Sequence, residues 1–536
     1  MTTAAGLIAK YLAGLGCRHA FGIPGGEVLA MIDALTENGI DFTLVKHENS
    51  AGFMAEGIWH GTGKPAILVA TIGPGLTNAV NTIANASQEQ VPLVVLTGCV
   101  DPIDRLSYTH QVIDHQALMR PLVKASYEAV DGDIPAIMEQ ALFAMLSDPP
   151  GPIHIDLPVK LAEKQQADSA NPALILPERR ALKDQDLIAS MAARIDNAER
   201  PVMIVGMEVL YHEAESVVAD FAIAHGIPVI TTYKAKGVLA EHHPLALGGA
   251  GLSPKADRLI MPLLAASDCI LLVGYDPIEM RIGWRDPWPD PAVVVEFAAT
   301  TRRHGMHRAG IEIVGDIRQM LRSIGAKSKG SNRRWPNSEV VALRSDLKSA
   351  FAPQGEWGPS AIFAAARRLA PRDAIATADS GAHRILLSQE WECYAPRDLR
   401  QSSAFCTMGV SVPLAAGSKL AEPGRAVIAF VGDAGLEMGM GELATLRDLG
   451  LAVVIVVLVD RSLALIEMKQ RASGLPNVGV DFAATDFGAI ARAYGGNGYD
   501  VDDMTGFEAA FSAALTAPNF SVIACSIDQR SYDGLI

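Results

Sequence analysis

The sequence predicts an α/β protein built of three doubly wound parallel-sheet domains. Three observations carry this. At 536 residues the chain is too long for one hydrophobic core. Short runs of Val, Ile and Leu that end in Gly, Asp or Pro alternate with helix-like stretches, as buried parallel strands do. Two changes of composition, over 166–188 and 326–357, read as linkers and place domains at 1–180, 181–345 and 346–536.

The elements follow in chain order. MTTAAGLIAKYLAGLG reads as an amphipathic helix, not a signal peptide. FGIPGG (Phe21–Gly26) is a turn at a strand end, followed by a helix over Glu27–Asn38 and a strand, FTLVKH. Further strands are expected at Ala66–Thr71, Leu93–Thr97 and Ile153–Pro158, then Pro201–Gly206, Cys269–Gly274 and Val293–Phe297, then Ala426–Gly432 and Leu451–Asp460. The last is the longest apolar run and is far too short to span a bilayer as a helix.

A net charge of −15 argues against a nucleic-acid binder. The six cysteines are scattered with no CxxC pair, which argues against zinc and disulfide frameworks and suits a reducing cytoplasm.

Val431–Glu467 is the most informative segment. A strand runs into Gly432-Asp433-Ala434-Gly435, a helix is expected from about Met440 to Leu449, and a very apolar strand ends at Asp460-Arg461-Ser462. Polar groups thus sit at the carboxyl ends of two strands, where open α/β sheets bind ligands. If the strands are neighbours, Asp433 and Asp460 meet. Two carboxylates, a backbone carbonyl and diphosphate oxygens make a hard octahedral site suited to Mg2+. The small residues Gly432, Ala434 and Gly435 would let phosphate oxygens approach backbone N–H groups. Alone, GDxG is more often a plain strand-to-helix turn.

This segment resembles the GDG-x-NN signature of thiamin-diphosphate enzymes. Ala434 replaces the second Gly, as in some acetolactate synthases, and Asp460 replaces the usual Asn, as in catabolic ones. In the first block, GIPG…KHENSAGFMAEG…TIGPGLTNAVN is similar to that family's pyrimidine-binding domain. The resemblance covers almost the whole chain and goes furthest with the catabolic acetolactate synthases. Thr109-His110-Gln111, Asp114, Arg120-Pro121, GYDPIE (Gly274–Glu279) and the ending CSIDQRSYDG carry it.

The resemblance implies three domains: pyrimidine-binding, central and diphosphate-binding. It implies thiamin diphosphate and Mg2+ as cofactors, with Asp433, Asp460 and the Ser462 carbonyl as metal ligands. Glu48 would contact the aminopyrimidine ring, as a carboxyl that shares a proton with it. A Glu at a helix start is otherwise most often a dipole partner. Ile23, Pro24, Gly25, Thr71, Pro74 and Asn78 fall at cofactor positions beside Glu48. Ala382, His383, Thr407, Met408, Leu463 and Leu465 do so in the third block, His383 near the diphosphate and Met408 as the apolar residue that keeps the cofactor bent. Gln111 and His110 fall at catalytic positions, and His110 and His115 lie in a loop able to enter the site.

The helix Leu463–Gln470 would line the substrate pocket with Ile466 and Lys469. Lys469 would bind an anionic substrate group, or sit on an exposed face beside Glu467. Arg281 and Arg461 are similar candidates. FAD is not expected, because GYDPIE matches the catabolic type and EFAATTRRHG lacks the usual acidic strand end. A homodimer or homotetramer with active sites between subunits is implied. The leading activity is acetolactate-synthase-like: decarboxylation of pyruvate or a similar 2-oxo acid and ligation to a second carbonyl compound. The alternatives are a 2-oxo-acid decarboxylase or 2-hydroxy-ketone lyase, and a non-catalytic paralogue. The absence of an adjacent His-His pair favours ligation.

Overall fold

Residues 2–167, 176–302, 304–330, 335 and 338–536 are described by the computed structural model of the chain. They form three six-stranded sheets, parallel throughout, with helices on their faces. The first sheet runs, in spatial order, Asp41–Leu44, His19–Gly22, Ala66–Ala70, Leu93–Cys99, Ile153–Pro158 and Ala125–Glu128. The third runs Leu399–Gln401, Ile375–Ala378, Val427–Gly432, Val453–Val459, Ser521–Ser526 and Asn497–Val501. Numbered along the chain within each sheet, both have the order 2-1-3-4-6-5. The middle sheet, Ala246–Gly249, Val229–Thr231, Pro201–Val205, Cys269–Val273, Val294–Ala298 and Ile311–Val314, has the order 3-2-1-4-5-6. Its order reverses between Pro201–Val205 and Cys269–Val273. The central strands are buried on both faces, which is why they are apolar without alternation.

Three expectations are corrected. The segment 326–357 is not a plain linker: Glu339–Ala350 is a helix whose Val340, Leu343 and Leu347 are buried. These positions are three and four apart, one helical face, and they pack toward the helix Pro254–Ala266. In 166–188 the helix Gln185–Asn197, capped by Asp184, already begins, and residues 168–175 lie outside the described residues. The single helix expected from about Met440 to Leu449 is present as Glu442–Asp448, but a further helix, Asp433–Gly439, precedes it directly after Gly432. Among the described residues no helix is long and apolar enough to cross a membrane.

Polar ties join the domains. Lys234, buried in the middle domain, reaches Glu56 (3.3 Å) and Glu89 in the first and the Gln401 carbonyl (3.3 Å) in the third. Opposed charges hold it protonated, and burial alone would do the reverse. The backbone amides of Lys46 and His47 donate to Glu442 Oε1 at 3.0 and 3.1 Å. The start of the helix Glu48–Thr62 is thereby fixed against the third domain.

Candidate active site

The strands Val427–Gly432 and Val453–Val459 lie side by side, with Gly432 opposite Leu458. The residues after them therefore emerge together at the carboxyl end of the sheet. Asp433 and Asp460 are both buried. Arg461 N–H donates to Asp433 Oδ2 at 2.7 Å and Ser462 N–H to Asp460 Oδ1 at 3.0 Å. Burial, and then the charge of Asp433, lift the Asp460 carboxyl to about 7; burial also raises Asp433. Two desolvated carboxylates side by side are costly unless a cation joins them.

A cavity of about 430 Å³ opens beside this pair. From the sequence candidates it collects Gly432, Asp433, Ala434, Gly435, Asp460 and Ser462 on one wall. Ala382, His383 and Met408 line another, and Leu463, Leu465, Ile466, Lys469 and Arg281 complete it. Burial holds the His383 imidazole neutral, down to about 3, and its buried Nε2 has no partner. A buried polar atom without a partner is uncommon, and here it faces a space next to the acidic pair. The residues present fit a diphosphate together with a hard divalent cation.

Two glycines have reasons other than phosphate approach. A Cβ on Gly435 would stand 2.1 Å from Asp379 Oδ2, and one on Gly25 2.2 Å from Thr71 Oγ1. Both are small because the protein's own side chains pack on them. Thr407 does not line the cavity; its hydroxyl donates to Asn81 Oδ1 at 3.1 Å. Arg461 is exposed and also stands outside, in a left-handed conformation at φ 59°. Glu467 is paired with Arg471 through two contacts of 3.0 Å. Lys469, exposed yet lining the cavity, has no ion pair among the described residues.

The first-domain candidates form a separate group, none of which lines that cavity. Glu48 is buried and opens the helix Glu48–Thr62. Its Oε2 accepts from Asn78 Nδ2 at 3.0 Å, and Gly75 in the Pro74–Asn78 turn packs near its Oε1. Ile23, Pro24 and Gly25 follow the strand His19–Gly22, and Thr71 donates to Glu27 at 2.6 Å. The Gln111 carbonyl sits where a Gly73 side chain would be, 2.3 Å from its Cβ. His110 and Gln111 are exposed, whereas His115 is buried. His115 accepts from Gly73 N–H at 3.1 Å and contacts Asp156 at 2.7 Å, so it holds the Gly73 turn.

Sequence reasoning gave Glu279, Ser403 and Arg384 no role, and all three line the cavity. Glu279 accepts from Ser403 Oγ at 2.9 Å and from Lys234 N–H at 3.2 Å. Burial lifts its carboxyl to about 7. The available signal was an acid just past the apolar run Cys269–Val273, at the carboxyl end of a central strand.

Three family models match the chain. They are the thiamine pyrophosphate enzyme N-terminal TPP binding domain over residues 2–118, the central domain over 188–324 and the C-terminal TPP binding domain over 379–525. Among curated proteins, the acetolactate synthase large subunit of Parasynechococcus marenigrum is 30% identical over 95% of this chain and 85% of its own. The acetolactate synthase of Bacillus subtilis is 29% identical over 92% and 88%. The catabolic acetolactate synthase of Raoultella terrigena is 27% identical over 98% and 95%.

Proposed function

Because the chain belongs to the thiamine pyrophosphate enzyme family, alongside the acetolactate synthases, we propose that it decarboxylates a 2-oxo acid such as pyruvate and joins the acyl group to a second carbonyl compound. The observation that carries this is the buried pair Asp433 and Asp460 beside a cavity lined by three cationic side chains, Lys469, Arg281 and Arg384.

When bound, thiamin diphosphate supplies the electron sink that lets a 2-oxo acid lose CO2. The protein's own groups do the rest. Asp433, Asp460 and the Ser462 carbonyl would hold Mg2+, an oxygen-only set that suits a hard ion. His383 Nε2 offers the diphosphate a neutral polar contact. Met408, Leu465 and Ile466 keep water from the reacting carbons. Lys469 and Arg281 orient an anionic substrate as point charge and fork. Glu48, placed by Asn78 and by the fixed start of its helix, would hold the proton shared with the aminopyrimidine ring.

Glu48 and Gln111 stand apart from the cavity in one chain, so two copies complete each other's sites in this reading. Exposed apolar residues on both parts support that: Leu44 and Ile113 on the first domain, Met438 and Leu475 on the third. A cytoplasmic location fits six scattered cysteines with no CxxC pair.

FAD independence has a physical support. The crevice at the reversal point of the middle sheet is where such folds take a dinucleotide. Here Arg302 is ion-paired there with Glu208 and Asp276. Glu208 also accepts from Ala299 N–H at 2.9 Å, and Gln90 donates to Asp276 at 2.7 Å. The chain's own charged groups pair with one another at that crevice.

The test is a product assay with thiamin diphosphate, Mg2+ and pyruvate, quantifying acetolactate and acetaldehyde together. Acetolactate as the main product is expected. Acetaldehyde alone would make the protein a decarboxylase, and neither product would mean that the pocket takes another 2-oxo acid.

A further inference from the structure

The middle domain carries a second cluster of ligating side chains, far from the oxygen-only pair in both sequence and chemistry. Glu296 lies on the buried strand Val294–Ala298. His304 and His307 follow it in the connection to Ile311–Val314. We propose that Glu296, His304 and His307 bind a divalent transition-metal ion of the zinc class.

Geometry comes first. One ligand atom from each of the three lies within 4.8 Å of the others. They line a cavity of about 550 Å³ that Glu312 also lines. Glu312 is paired in register with Glu296 on the adjacent strand, so its side chain leaves the same face of the sheet and adds a negative charge to the cavity.

His307 is built into its place. Its ring lies 5.4 Å from that of Tyr275 and 5.1 Å from that of Trp288. One ring nitrogen, Nε2, is 3.2 Å from Glu296 Oε2. The other, Nδ1, is buried and has no hydrogen-bond partner among the described residues. The ring of His304 is 4.4 Å away, and its Nδ1 accepts from Met306 N–H at 3.3 Å, which directs ligation to Nε2. His304 is exposed and gives an ion a way in.

A simple ion pair between His307 and Glu296 accounts for one contact. It explains neither the orphaned Nδ1 nor a second imidazole against the first. Arg302 also faces the cavity, but its charge is offset by Glu208 and Asp276. Two imidazoles with one carboxylate suit Zn2+, Co2+ or Ni2+, not Mg2+ or Ca2+. A bound ion would tie the connection after Ala298 to the sheet. Through Tyr275 it would brace the segment that leads to Glu279 and Arg281 on the wall of the main cavity.

The experiment uses holoenzyme loaded with thiamin diphosphate and Mg2+, stripped of transition metals and titrated with Co2+. The expected result is one equivalent with the visible d–d absorption of a low-coordinate nitrogen–oxygen site, bleached by Zn2+. The substitutions His304→Ala and Glu312→Gln touch exposed side chains and leave the fold intact. His304→Ala should weaken Co2+ binding by about tenfold or more, and Glu312→Gln, which only removes a charge from the cavity, by less. No such absorption in the wild type, or absorption unchanged in His304→Ala, would overturn the proposal.

Discussion

Asn78 donates its side-chain amide to the Glu48 carboxylate at 3.0 Å. Glu48 starts one helix and Asn78 ends the short turn Pro74–Asn78, so the contact fixes the carboxyl against the Gly73 turn that His115 holds from behind. Glu48→Gln keeps the shape and the Asn78 contact but removes the exchangeable carboxyl proton. Turnover should fall about a hundredfold or more while thermal stability stays near wild type. A variant with full turnover would remove Glu48 from the mechanism.

Lys469 faces the cavity without an ion pair, since Glu467 is taken by Arg471. Lys469→Met keeps the stem and removes the charge. The KM of an anionic substrate should rise about tenfold, the scale of one charged hydrogen bond, with little change for a neutral aldehyde acceptor. Equal KM values for the anionic substrate in both proteins would place Lys469 on a solvated face.

The sheets were legible because buried parallel strands are apolar without alternation. Cys269–Val273 and Val453–Val459 sit within the runs that predicted them. The pairing of Asp433 with Asp460 was legible because both end adjacent strands. Less legible were features that depend on neighbours distant in sequence. Val340, Leu343 and Leu347 form a helical face that polar flanks obscure. Glu279 owes its raised carboxyl to burial among residues of other segments, against the pull of Ser403 and Lys234. The size of Gly435 is dictated by Asp379, which no local pattern shows.

The helices Glu48–Thr62 and Ser411–Ala421 meet backbone to backbone. A Cβ on Gly417 would stand 2.0 Å from the Met54 carbonyl oxygen, and one on Gly57 2.6 Å from that of Leu414. Both obstacles are main chain, so rotamer changes give no relief. Gly417→Val should destabilise the protein by about 1–3 kcal/mol or more, read by denaturant unfolding. It should also lower activity, because the shifted helix carries Glu48. Unchanged stability would mean that the two domains separate at this crossing at little cost.

Glu390 offers a pH test away from the active site. Burial lifts its carboxyl to about 8, against the pull of the Ser360 hydroxyl and of Lys255. Its Oε1 accepts from Ser360, while its buried Oε2 has no partner. A carboxyl whose folded pKa lies above its unfolded value takes up its proton more readily when folded. Its contribution to stability is complete below about 4.3, the ordinary glutamate value, and is lost as pH rises through about 8. Glu390→Gln replaces the protonated acid with a neutral isostere, so the folded state no longer meets a buried charge on the alkaline side. The wild type should lose thermal stability between pH 6 and pH 9 on the order of several degrees, and Glu390→Gln should lose distinctly less. Parallel curves for the two proteins would show that Glu390 is ionised in the folded state across that range, solvated by water reaching Oε2.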